Sequence, residues 1–114
     1  MNKTVTKPWG FYVQLAVGDG WLTKMLEINP HQRLSLQRHR YRDEHWVIAS
    51  GIAIVQVGDK TVRMTEGQHI QINAHDWHRV TGGNDGCTII ETWIGGCNEQ
   101  DIERKEDDYG RVTT

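Results

Sequence analysis

No apolar run in this 114-residue sequence approaches the roughly 20 residues of a membrane-spanning helix. The opening MNKTVTKPWG carries positive charge with no apolar stretch behind it, so no secretory signal is expected. Basic excess is missing too: 13 Lys and Arg stand against 15 Asp and Glu, which argues against nucleic acid as a partner. There are only two cysteines, Cys87 and Cys97, at no metal-binding spacing. They read as free thiols in a reducing, cytoplasmic compartment. Helical periodicity of useful length, internal repeats, linkers and low-complexity segments are all wanting. By length the chain is one domain, residues 1–114, with a small core. The initial Met1 favours a free-standing protein.

What is present is alternation. Phe11–Val17 reads as a half-buried strand with Phe11, Val13, Leu15 and Val17 on the core face. Gly18-Asp19-Gly20 turns into a second strand, Trp21–Ile28, where Lys24 shares a face with Leu22, Leu26 and Ile28. Two readings of Lys24 stand open: a stem that packs with its head in water, or an amine inside a barrel beside a ligand. Further strands are expected over 33–39, 44–50, 52–57, 61–64, 69–73, 77–81 and 87–94. Gly51 and the run Gly82 to Gly86 are expected as turns. Residues 1–7 read as a loose terminus and 97–114 as a tail, with one helical turn near Glu99–Asp107. Turn signals every eight to twelve residues make this an all-β barrel or sandwich.

One segment breaks the usual rule of apolar inside. In 33–39 the polar residues Arg33, Ser35, Gln37 and His39 share a face, against Leu34 and Leu36. A polar inner face in a barrel means a cavity rather than a plug. Gln37 and His39, two apart on a strand, can point at one ion. Glu44 has the wrong parity for the same strand, so the polar run Arg40–Asp43 must turn the chain before it. His45 then faces the opposite way from Glu44. His78 supplies a fourth candidate ligand. His31, His69 and His75 lack a partner at metal spacing and read as exposed or loop residues. Arg79, next to His78, should face away from it and reads as a structural group or as support behind the ligands.

The set Gln37-x-His39, Glu44, Gly51, followed by Gly67 and His78, resembles the two metal-binding motifs of the cupin superfamily. Gln37 takes the first histidine place; Asn73 and His75 take the places of a proline and a glycine. That resemblance implies a double-stranded β-helix, or jelly-roll barrel, and one divalent metal ion. Zinc is the leading candidate, with Mn, Co, Ni or Fe compatible with the mixed N/O donors. Nearly the whole chain, Pro8 to Arg111, is similar to the type II phosphomannose isomerase cupin. The similarity rests on Pro8-Trp9-Gly10, Leu34-Ser35-Leu36-Gln37-x-His39, Glu44-His45-Trp46, His78-Arg79, Ile90-Glu91 and the tail Asp101-Ile102-x-Arg104 with Tyr109-Gly110-Arg111. Tyr41 and Trp93 stand where that family usually has histidine and glutamine.

This second resemblance implies metal-dependent interconversion of mannose 6-phosphate and fructose 6-phosphate through an enediolate. Gln37, His39, Glu44 and His78 would hold the metal. Glu91 would be the base and Lys24 a catalytic cation, while Ser35, Arg104 and Arg111 would bind the sugar phosphate. A homodimer is expected by analogy. A non-catalytic sugar-binding cupin and a metal-dependent oxygenase stand as alternatives. Most of the five tryptophans are expected in the core, with one or two lining the sugar cavity.

Overall fold

The computed structural model describes residues 3–112. Nine strands run in chain order: β1 Thr4–Lys7, β2 Gly10–Gly18, β3 Trp21–Ile28, β4 Leu36–Arg38, β5 Arg42–Val57, β6 Lys60–Thr65, β7 His69–Ile72, β8 His78–Gly95 and β9 Glu103–Glu106. No helix occurs among the described residues, and none is long and apolar enough to cross a membrane.

The fold is built on the antiparallel pairing of β5 with β8, which runs from Arg42↔Gly95 to Val57↔His78. Both strands bend midway and so serve two sheets. One sheet has the order β1-β2-β3, then the second half of β8, the first half of β5, and β7. The other joins β6, the second half of β5, the first half of β8, β4 and β9. Two sheets curled on one another by shared strands make the expected all-β jelly-roll barrel.

The bends correct the expectation of turns. Gly51 and the Gly82–Gly86 run lie inside β5 and β8, which makes four expected strands into two. The β5–β8 register shifts between Ile48 and Ser50 and between Gly51 and Ala53. Gly51 has φ +76°, and a Cβ there would run into the Gly86 carbonyl oxygen of the facing strand. Glycine is needed for both conformation and close approach.

Three other expectations are overturned. Of the terminus expected to be loose, residues 4–7 pair with β2; residues 1 and 2 lie outside the described part. The tail is extended rather than helical: β9 adds to β4 at the sheet edge. Residues 113 and 114 lie outside the described part. In β2 the faces are exchanged. Tyr12 and Gln14 stand opposite Leu26 and Lys24, so they point inward, while Leu15 and Val17 are 40% and 58% exposed. A bulge between Gln14 and Ala16 adds a residue and ends simple alternation.

Inside the barrel, strands change character along their length. Ile28 on β3, Ile48 on β5 and Ile89 on β8 are almost wholly buried and join Trp9, Leu34, Trp46, Val55, Met64, Ile72 and Val80 in one core. Further along the same inner rows come Lys24, Glu44 with Arg42, and Glu91, all at most 5% exposed. One end of the barrel is packed and the other is a polar cavity.

Candidate functional site

Alternation on β5 points Arg42, Glu44, Trp46 and Ile48 inward, and His45 outward as expected. His39 lies just before β5, and His78 opens β8. The His39, Glu44 and His78 ligand atoms lie within 4.8 Å of one another, all buried. His39 Nε2 is 3.1 Å from Glu44 Oε2, and His78 Nε2 is 3.7 Å from Glu44 Oε1.

Both rings are oriented from behind by backbone carbonyls. His39 Nδ1 lies 2.6 Å from the Asp101 oxygen, and His78 Nδ1 lies 2.9 Å from the Asp76 oxygen. A carbonyl can only accept, so each Nδ1 carries the hydrogen; each Nε2 faces Glu44, donating to it when the ring is protonated and offering a lone pair to a metal when it is neutral. Two imidazole nitrogens and a carboxylate gathered in a dry site are a donor set that calls for a cation. His78 Nε2 is buried and has no hydrogen-bond partner among the described residues. This orphaned nitrogen and this donor set fit a divalent metal.

The charges around the cluster agree. Burial alone would raise the Glu44 pKa, but the His39 hydrogen bond and the nearby His78, His39 and Arg42 outweigh it and hold the carboxyl well below its usual range. Burial pushes the His78 pKa down against the pull of Glu44, and so favours the neutral form of the ring that can ligate. Arg42 Nε donates to Glu44 Oε2 at 2.9 Å, and its Nη2 lies 3.2 Å from His39 Nε2. Trp46 Nε1 donates to Glu44 Oε1 at 3.0 Å.

Gln37 stands beside His78 as its cross-strand partner and lines the same cavity, with its Oε1 accepting a 3.0 Å bond from Ser35 Oγ. It is adjacent to the triad, and Ser35 is buried behind it. Arg33, expected on this inner face, instead turns out to Asp108 at 2.7 Å. Arg79 is structural as expected: its Nε donates to the Leu34 carbonyl and its guanidinium reaches Glu106 on β9.

The cavity holds about 180 Å³ and is lined also by Lys24, Glu91, Trp93, Arg104 and Arg111. The interior reading of Lys24 is the one observed. It is 4% exposed, paired with Glu99 at 2.7 Å, and sits 3.9 Å and 4.0 Å from the Tyr12 and Trp93 ring centroids. Trp93 also meets the Arg42 guanidinium, 3.4 Å from its ring centroid, so the indole lies against two cations. Trp93 Nε1 donates to Glu91 Oε1 at 2.6 Å. Burial, and then the Glu44 charge, push the Glu91 pKa up to about 8. Arg111 is braced by Asp107 at 2.8 Å. Tyr41 is 69% exposed and lines a separate surface groove.

Several cavity residues escaped the sequence reading. Arg42 belongs to the polar run expected as a turn, although its parity with Glu44 and Trp46 is the signal that it faces in. Tyr12, Lys7 and Glu99 line the same cavity. Tyr12 donates to Glu99 at 2.9 Å, and burial with that bond pushes its phenol up to about 12. Burial, and then the Arg111, Arg104 and Lys24 charges, lower the Lys7 pKa against the pull of Glu99, which places a cluster of cations at this end.

Comparison with known proteins agrees with this architecture. Residues 1–107 match the family described as "Mannose-6-phosphate isomerase C-terminal". The chain is 42% identical over 110 residues to the alginate biosynthesis protein AlgA of Pseudomonas aeruginosa, covering 95% of this chain and 23% of that protein. It is 33% identical over 114 residues to the mannose-1-phosphate guanylyltransferase ManC of Salmonella typhimurium, covering 98% and 24%. The chain thus spans about a quarter of the length of these relatives. Among solved structures, an RmlC-like cupin from Shewanella frigidimarina superposes with TM-score 0.79 at 14% identity, covering 87% of this chain and 88% of that one. Oxalate decarboxylase of Bacillus subtilis gives 0.81 at 14%, covering 90% and 30%. With residues 1–107 matched by the family model and the fold shared with cupins, the chain belongs to the mannose-6-phosphate isomerase C-terminal family.

Proposed function

We propose that this protein interconverts mannose 6-phosphate and fructose 6-phosphate, using a divalent metal held by His39, Glu44 and His78 with Gln37 beside them. The observation that carries the reading is the division of the cavity into three zones. A metal-fitting triad lies on one wall. A carboxyl with a raised pKa, Glu91, faces the same space as Lys24. Lys7, Arg104 and Arg111 form a basic zone that suits a phosphate.

Aldose–ketose isomerisation moves a proton between C1 and C2. Glu91 as carboxylate takes the C2 proton of the aldose and as carboxylic acid returns it to C1, while the hydroxyl proton on O2 passes to O1. The pair left behind makes an enediolate, whose negative charge the Lys24 ammonium stabilises. A bound divalent ion would supply a Lewis acid for the developing oxyanion charge. Trp93 fixes Glu91 through its indole N–H, and its ring lies against the Lys24 and Arg42 cations. Arg104, Arg111 and Lys7 hold the phosphate, and Ser35 steadies Gln37 at the cavity wall. Zinc suits the two imidazoles and one carboxylate. The reading places the protein in the cytoplasm as a homodimer. Trp21 and Ile94, cross-strand partners 39% and 53% exposed, support an apolar contact between copies.

The test is conversion of mannose 6-phosphate by metal-stripped protein refilled with Zn, Mn, Co or Ni. Turnover is expected with at least one ion, and to be lost in His39→Ala and His78→Ala. In Glu91→Gln it should fall by about 100-fold or more with metal content unchanged. Tight metal binding without turnover under any ion would sink the isomerase reading and favour a sugar-binding cupin.

A further inference from the structure

Two more imidazoles meet on the outer surface of the barrel, on the face of β5 turned away from Glu44. In the β5–β7 register His45 stands opposite Gln71 and Val47 opposite His69, so His45 and His69 are diagonal neighbours on one face. His45 Nε2 and His69 Nδ1 are 3.2 Å apart, with ring centroids at 5.2 Å and planes inclined by 66°. His69 is exposed and His45 half-buried. Sequence spacing gave His69 no partner; the return of β7 along β5 supplies one.

We propose that His45 and His69 form a second, exchangeable site for a divalent transition-metal ion, separate from the buried triad. Metal–imidazole bonds are about 2.0–2.1 Å long, so two nitrogens at this separation subtend roughly 100° at an ion equidistant from both. That angle lies between square-planar and tetrahedral values. Without metal the same distance is a hydrogen bond between neutral rings, one nitrogen donating and the other accepting. On binding, the shared hydrogen moves to the other nitrogen of its own ring and the ion takes its place, so neither imidazole loses a net proton. Both residues sit on regular strands, which fixes the separation before the ion arrives. The directly opposed cross-strand residues, Gln71 and Thr92, are uncharged, and Asp43 Oδ1 is engaged by the Ala74 N–H. Imidazoles without a carboxylate select borderline ions, copper most tightly, then nickel and zinc, over calcium or magnesium. Water fills the remaining positions at this exposed edge.

The untagged full chain is passed over an immobilised nickel chelate, which cannot reach a triad no more than 3% exposed. Wild type is expected to be retained. His45→Gln and His69→Gln should each bind about tenfold more weakly, since each leaves a single imidazole without its chelate partner. A double variant of the exposed His31 and His75 should be retained like wild type. Wild type in the flow-through, or retention unchanged in His45→Gln and His69→Gln, would overturn the proposal. Paramagnetic broadening by Cu2+ in wild type tests it without substitution. The His45 and His69 ring resonances should broaden first; broadening centred elsewhere on the surface rejects the site.

Discussion

Glu44 and Glu91 face one cavity from neighbouring strands, yet their pKa values move in opposite directions. Both are buried, which disfavours the charged form. Glu44 is surrounded by His39, His78 and Arg42 and stays ionised; Glu91 feels Glu44 as a like charge and rises to about 8. A raised carboxyl means that, between about pH 4.5 and 8, the folded state keeps a proton the unfolded state has lost. Stability from this group is therefore present at the acid end of that window and falls as pH rises through it. Denaturation of metal-stripped protein at about pH 5.5, 6.5 and 7.5 should show stability declining by up to about 1 kcal/mol per pH unit. Glu91→Gln should flatten that decline. Glu44 acts with the opposite sign, contributing stability above the unfolded carboxylate pKa and losing it as pH falls toward its depressed value, so its main effect lies below this window.

At the scale of the element, the approach to β8 decides where His78 points. His75 has φ +74°, a left-handed conformation that costs a non-glycine residue about 1 kcal/mol or more. Its N–H donates to the His39 carbonyl at 2.7 Å, and the Asp76 N–H donates to Asn73 at 3.1 Å. The turn thus ties both histidines of the triad together and stores strain in doing so. His75→Gly should keep these backbone bonds and raise stability by up to about 1 kcal/mol in urea denaturation. A drop in stability would mean that the side chain contributes more than the strain costs. Gly51 and Gly86 play the opposite part, allowing β5 and β8 to bend at close range.

At the scale of the molecule, the triad joins the start of β5 to the start of β8, and β8 runs through both sheets. An ion bound to the folded state alone stabilises by mass action, about 4 kcal/mol at a thousandfold excess over Kd. Calorimetry of stripped and zinc-loaded protein should show a melting temperature higher by ten degrees or more with metal, at roughly 4–8 °C per kcal/mol. His78→Ala should lose most of that gain. The packed end would hold the barrel together without metal, since Trp46, Ile48, Ile89 and Val80 are wholly buried there.

Local pattern was enough for much of this. Period-two alternation revealed the strands and the inward set Leu22, Lys24, Leu26 and Ile28 on β3. It also revealed the polar face carrying Ser35, Gln37 and His39. Motif spacing picked out His39, Glu44 and His78, because their separation along the chain reflects strand length and turn length, which are local quantities. Arg42 pairing with Glu44, Tyr12 and Glu99 closing around Lys24, and His69 meeting His45 all join residues through register between strands. A glycine inside a bent strand carries the same local signature as a glycine in a turn, so Gly51 and Gly82–Gly86 look like turns in the sequence while lying inside strands. An exposed terminus carries no pattern of its own, so only the free edges of β2 and β4 determined that residues 4–7 and 103–106 become strands. The sequence by itself determined which side chains share a strand face. Only the tertiary structure decided which faces meet, because hydrogen bonding between strands, bulges and edges is settled by partners far away in the chain.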